Sequence, residues 1–270
     1  VATGWTYRMG YRQTTERKSP CTIAAIGIDY EDGTHEEIYT DETWEVVSSP
    51  VEFATLYDGE RYNAAYTEIN YTQTAEKTPE RHGIDKGLLV PQEGEPIVEH
   101  ESYPVREIIH TPAGETVLDF GYNLVGYVEF TLEDAKAGDE ISYTHAEILD
   151  KHGNFYTENL RSAQQRITYI ARDGRQTYKP HFTFMGGRYV RLDKYPYEVK
   201  PENFRFIVIH SDIKRTGYFE CSDPRVNTLF DNIIRGQRGN YVDVPTDCPQ
   251  RDERLGWTGD AQIFAKTACY

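Results

Sequence analysis

Five carboxylates crowd one short stretch of the chain: Asp243, Asp247, Asp252, Glu253 and Asp260, interleaved with Arg251 and Arg254. The stretch reads Val244-Pro245-Thr246-Asp247-Cys248-Pro249-Gln250-Arg251-Asp252-Glu253-Arg254-Leu255-Gly256-Trp257-Thr258-Gly259-Asp260. Two prolines, two glycines and a tryptophan around the acids fix a backbone path and supply an apolar wall, which a merely solvated loop does not need. A carboxyl against such a wall has its pKa raised by lost hydration, and a neighbouring carboxylate raises it further. An arginine lowers whichever acid it pairs with. One loop can thus hold a protonated carboxyl, able to act as general acid, beside ionised ones. Ionised Asp accepts paired hydrogen bonds from vicinal hydroxyls, and Trp packs on the apolar face of a sugar ring. The competing reading is an ion-paired loop that staples two helices. It suits Arg251, Asp252 and Arg254 better than Asp247 or Asp260.

Helices are expected on both sides of this loop. Ser222-Asp223-Pro224 places a capping side chain before a first-turn proline. Val226, Leu229, Phe230, Ile233 and Ile234 then recur at the spacing of one helix face. Gly236 and Gly239 are expected to end that helix. A second helix runs from near Trp257 to Tyr270, where the sequence stops inside an apolar pattern. Val1 likewise opens in mid-pattern, so the chain reads as a piece of a longer protein.

Upstream the pattern is short strands and turns. Cys21 to Tyr30 is β-compatible, Asp32-Gly33 is a hairpin signal, Glu37 to Thr40 resumes, and Asp58-Gly59 turns again. Residues 73–96, with Pro79, Pro91 and Pro96, read as a connection. Strands follow at Tyr103 to His110, Glu115 to Phe120, Gly126 to Leu132, Glu140 to Leu149, Arg166 to Ala171, Gly187 to Leu192 and Phe204 to His210. In Gly126 to Leu132, Tyr127 and Glu129 share one face, and Val128 and Phe130 the other. The predicted architecture is mainly β. Residues 1–96 form an N-terminal β-sandwich domain with its linker, itself incomplete. Residues 97–213 form a second, jelly-roll-like β-sandwich, and residues 214–270 open a helical domain.

Composition narrows the function classes. The 270 residues carry 44 Asp and Glu against 29 Lys and Arg, a net charge of −15, so the basic footprint of a nucleic-acid binder is missing. Mean hydropathy is −0.68, and no apolar run nears the roughly 20 residues of a membrane span. Aromatics at 13% argue against disorder. Cys21, Cys221, Cys248 and Cys269 show no CxxC pairing, so neither zinc nor a disulfide framework is indicated, and a reducing cytoplasm suits them. There is no P-loop, HExxH or nucleophile elbow. His110, His145, His181 and His210 fall in strand patterns and read as structural. Glu147, two residues after His145 in a strand, is expected to share its face and pair with it. Tyr7, Tyr62, Tyr66 and Tyr71 read either as ordinary strand tyrosines or as a sugar platform. Asn70-Tyr71-Thr72 reads as a chance glycosylation triplet.

The run from Asp247 to Gln262 resembles the signature that opens the catalytic domain of bacterial α-L-rhamnosidases, glycoside hydrolase family 78. The resemblance extends upstream through Asp32-Gly33, Thr40-Asp41, Trp44 and Tyr57-Asp58-Gly59-Glu60. It continues in Asp119-Phe120-Gly121-Tyr122-Asn123, His145-Ala146-Glu147-Ile148-Leu149, Gly153-Asn154 and Pro180-His181-Phe182-Thr183 with Gly186, Arg188 and Tyr189. Gly187 departs from it, an aromatic being expected there. The resemblance implies β-sandwich domains followed by the first helices, Pro224 to Arg235 and from near Trp257, of a truncated (α/α)6 barrel. It implies removal of terminal α-L-rhamnose from rhamnosides with inversion, with no cofactor and no metal in the chemistry. Glu253 falls on the family's general acid, Asp247 and Asp260 on carboxylates that bind rhamnose hydroxyls, and Trp257 on an aromatic lining the pocket. The family's general base is a Glu further along the barrel, so residues 1–270 alone are expected to be inactive.

Overall fold

The computed structural model describes residues 23–41, 43, 44, 47, 49–66, 87 and 90–270. Tyr7, Tyr71, Cys21, the Asn70 triplet and most of residues 73–89 lie outside the described residues. The expected hairpin is formed by β1 (Ala25–Asp29) and β2 (His35–Tyr39), antiparallel and closed at Gly33.

The remaining strands are β3 (Val51–Thr55), β4 (Gly59–Asn63), β5 (Ile97–Pro104), β6 (Glu107–His110), β7 (Thr116–Ala135), β8 (Glu140–Ala146), β9 (Arg166–Ile170), β10 (Gly174–Tyr178), β11 (Met185–Lys194) and β12 (Phe204–Ser211). They make one ten-stranded sheet in the order β3-β4-β9-β8-β11-β7-β12-β5, with β6 and β10 also paired to β7. Two of these strands, β3 and β4, come from the segment expected in the first domain. Here β4 runs parallel to β9, so residues 51–63 belong to the second sheet.

Strand β7 makes the sheet curl. Its first half pairs with β6 and β11, its second half with β12 and β10. The sequence suggested two strands here. Instead the chain bends through Gly121 and Gly126, both at positive φ, without ending. Val128, Phe130 and Leu132 point inward and are buried, as the alternation predicted. They join Leu118, Phe120, Ile141, Tyr143, Ile167, Val190 and Phe206 in one core inside the curl. Tyr103 to His110 is also divided, into β5 and β6. β10 was not anticipated, because its buried face is carried by Gln176 and Tyr178 rather than by an apolar alternation.

Two helices follow, α1 (Pro224–Asn240) and α2 (Thr258–Ala268), joined through the two-residue strands β13 (Tyr241–Val242) and β14 (Val244–Pro245). Asp223 caps α1, its side chain accepting from the Arg225 N–H. Gly236 and Gly239 do not end α1. The helix continues to Asn240 because its last turn packs on the sheet, and a Cβ on Gly239 would lie 2.7 Å from Cγ2 of Val125. Arg235 stacks over the Tyr122 ring at 4.3 Å, and Arg238 pairs with Glu101 at 3.0 Å. The other half of the apolar stripe is open: Leu229 is 57% exposed. No helix among the described residues is long and apolar enough to cross a membrane.

Candidate active site

The acidic loop lies on the sheet, not between the two helices. Its anchor is Arg254, which is fully buried. The guanidinium donates to the carbonyls of Leu56, Phe184 (2.8 Å), Gln250 (3.1 Å) and Arg251 (3.1 Å), and lies over the rings of Phe184 and Tyr57. Its acceptors are carbonyl dipoles, and burial pulls its pKa down to about 10, which still leaves it charged at neutral pH. So Arg254 is a staple, as one reading of the sequence allowed, but it fastens the loop to the sheet rather than one helix to another.

Gly186, in β11, completes the seat. A Cβ there would lie 2.9 Å from Cγ of Pro249, so only glycine lets the loop approach this closely. Gln165 exchanges two hydrogen bonds with Gly186 and takes a third, longer one from Arg254 (3.4 Å). At Gly187 a Cβ would lie 2.9 Å from the Ala146 carbonyl oxygen, so the strands leave no room for the aromatic expected there.

Asp247 closes the loop on itself. Its backbone N–H donates to the Leu255 carbonyl at 3.1 Å, and its Oδ1 accepts from the Leu255 N–H at 2.9 Å. Its Oδ2 lies 3.4 Å from Arg251. Glu253 is held differently. Its Oε2 accepts from Arg161 at 2.9 Å and lies 3.1 Å from Arg251, while its backbone carbonyl accepts from the Tyr57 hydroxyl at 3.1 Å. The Glu253 side chain is 21% exposed, so it stays reachable. Ligand atoms of Asp247, Cys248 and Glu253 lie within 4.8 Å of one another, a spacing that could hold a cation. The Arg251 guanidinium already reaches both carboxylates and fills that electrostatic role. The Cys248 thiol is pushed up, first by burial.

Among the described residues, no hydrogen bond or ion pair joins the Trp257 or Asp260 side chain to Glu253. Trp257 sits at the N-cap of α2 and is 47% exposed; Asp260 is exposed in the first turn. The apolar wall expected around the acids is therefore supplied beneath the loop by Tyr57 and Phe184, and Trp257 stands open beside it. Asp243, at φ 72, forms the tight link between β13 and β14.

Three family models match successive parts of the chain. These are the α-L-rhamnosidase N-terminal domain over residues 1–101, the bacterial α-L-rhamnosidase concanavalin-like domain over 109–210, and the bacterial α-L-rhamnosidase 6 hairpin glycosidase domain over 214–270. The chain belongs to the bacterial α-L-rhamnosidase family. An α-L-rhamnosidase of Streptomyces avermitilis is 38% identical over all of this chain, and one of Formosa agariphila 34%. The chain spans 27% and 30% of their respective lengths. The solved Streptomyces avermitilis enzyme, complexed with L-rhamnose, superposes with a TM-score of 0.81 over 92% of this chain and 25% of that one. The native Aspergillus terreus α-L-rhamnosidase does so with 0.84 over 91% and 29%, at 34% identity.

Sequence reading missed the sandwich side of this candidate site. Tyr57, Arg161 and Ser162 all touch the loop, Ser162 donating to Asp252. The signals in the sequence were slight: Tyr57 opens a turn motif, and Arg161-Ser162 follows a polar stretch without periodicity. His145 does not pair with Glu147. His145 is fully buried with neither ring nitrogen bonded, and burial pushes its pKa down to about 3. β8 ends at Ala146, and Glu147 turns out to bond Asn123 and Asn159.

Proposed function

We propose that this chain supplies the proton-donating half of an inverting α-L-rhamnosidase site, acting on terminal α-L-rhamnose of glycosides within a longer protein. The observation that carries it is the placement of Glu253. Its main chain and one carboxylate oxygen are fixed, yet its side chain keeps 21% of its surface open to a ligand. Glu253 is the general acid in this reading. Asp247 and Asp260 accept hydrogen bonds from sugar hydroxyls, and Trp257 lines the ring. Inversion requires a second carboxylate, about 6.5–9.5 Å away, to activate water, and this reading places it beyond residue 270.

Glu253→Gln in the full-length protein tests the assignment. Turnover of an alkyl α-L-rhamnoside, whose leaving oxygen needs a proton, is expected to fall about 10²–10⁴-fold, with rhamnose binding retained. An aryl rhamnoside with a good leaving group loses less. An unchanged rate on both would reject Glu253 as the general acid; rhamnose binding with no turnover of either substrate by the unmutated full-length protein would favour a carbohydrate-binding protein.

A further inference from the structure

Glu253 is gripped asymmetrically. Arg161 and Arg251 both reach Oε2, at 2.9 and 3.1 Å, and Oε1 has no hydrogen-bond partner among the described residues. Arg251 belongs to the loop itself, but Arg161 comes from the β-sandwich, 92 residues earlier in the chain. It sits just after a 3-10 turn at Glu158–Leu160, whose Leu160 is buried in a small cluster with Tyr57 and Ala163. Tyr57 in turn donates to the Glu253 carbonyl. One patch of the sandwich therefore holds both the main chain and the carboxylate of this residue.

The backbone of Arg161 is unusual as well. It lies at φ 58, ψ −116, which a residue with a side chain adopts only when its surroundings impose it. Positive φ in non-glycine residues is found, among the described residues, only at Arg161, Gln165, Asp243 and Arg254. Two are in the loop's own segment and two in the sandwich strap that meets it. Arg161, Gln165 and Arg254 lie where loop and sheet meet, and at Arg161 the imposed backbone aims a guanidinium at one oxygen.

Resting on the reading of Glu253 as the general acid, we propose that Arg161 is a positioning residue for proton transfer. By occupying Oε2 together with Arg251, it leaves Oε1 as the oxygen that carries the proton. The proton passes from Oε1 to the glycosidic oxygen as the bond to the anomeric carbon breaks, and the leaving group departs as a neutral alcohol. Water supplies the new bond to that carbon and gives its own proton to the base. The charge that appears on Glu253 is then already paired by two guanidiniums, with no reorganisation needed.

The test compares Arg161→Gln and Arg161→Lys in the full-length protein with Glu253→Gln as reference. Arg161→Gln is expected to lower kcat on an alkyl rhamnoside by on the order of tenfold to a hundredfold, less on an activated aryl rhamnoside, with KM little changed. The basic limb of its kcat/KM profile is expected to move to higher pH, since a cation beside the acid has gone. Arg161→Lys is expected to keep the wild-type limb and recover part of kcat, and it decides the matter should Arg161→Gln fail to fold. Unchanged kinetics in Arg161→Gln would overturn the proposal. So would equal losses on both substrates with an unmoved limb in Arg161→Gln, or an Arg161→Lys that loses equally on both substrates and recovers none of kcat. If Glu253→Gln itself remains active, the acid assignment falls and this proposal with it; an inactive Glu253→Gln beside a fully active Arg161→Gln overturns the positioning role alone.

Discussion

The two ends of the acidic loop are built by opposite means. From Asp247 to Leu255 the loop is seated on the sheet. Arg254 is fully buried, Asp247 bonds twice to Leu255, and Pro249 packs against the bare backbone of Gly186. From Trp257 onward the chain is displayed. Trp257 and Asp260 are exposed, and Ile263 in α2 is 87% exposed. The proposed proton donor, Glu253, lies in the first part and the expected sugar-binding aromatic, Trp257, in the second. The lesson is that the sandwich in this chain is more than a spacer before the helices: Tyr57 and Arg161 reach the backbone and the carboxylate of Glu253.

The largest effect that would break this contrast is at Arg254. Replacing it with Met leaves several buried carbonyls without donors, at about 1–3 kcal/mol each. We expect Arg254→Met to lower the unfolding free energy of the sandwich and loop by about 3 kcal/mol or more, read from denaturant midpoints. A surface substitution in the displayed part, such as Asp260→Asn, is expected to stay within about 0.5 kcal/mol. Equal losses at the two positions would erase the distinction.

A smaller effect concerns acid sensitivity. His145 lies in β8 beside Gln165, under the seat of the loop, and stays neutral in the fold with a pKa of about 3. The unfolded chain takes up that proton below roughly 6.5 and the folded one only near 3. Stability therefore falls as pH drops through this window, by about 1.4 kcal/mol per unit from this residue. Glu60, buried and held ionised by Tyr178, His181 and Phe182 despite the cost of desolvation, adds a loss of the same sign at lower pH. His145→Leu is expected to flatten the dependence from about pH 6.5 down to about 3, leaving only the fall that the carboxylates contribute at the acid end. Urea melts across pH check this, and an unaltered slope would remove His145 from the account.

How much of this was legible follows from the range of the forces involved. The cap at Asp223, the two faces of Gly126 to Leu132 and the hairpin at Asp32-Gly33 are local patterns, and they appear where the spacing put them. The acidic loop could be recognised by its residue types, because prolines and glycines among carboxylates are a local signature. The partners of Arg254 could not. Leu56 and Phe184 are 198 and 70 residues away, and both offer backbone carbonyls, which leave no mark on the sequence. The same holds for Arg161, whose partner Glu253 lies 92 residues further along the chain. The helix glycines misled for a related reason: Gly239 is required by the proximity of Val125, a tertiary fact, and was read as a local stop.

The claim that the sheet preorganises one half of the site is tested most directly by amide hydrogen exchange on the chain itself, resolved residue by residue. The Asp247 and Leu255 amides, both paired across the seated loop, are expected to exchange more slowly than those of Ala261 to Ala268 in exposed α2. Exchange at Asp247 and Leu255 as fast as in α2, or faster, would contradict it.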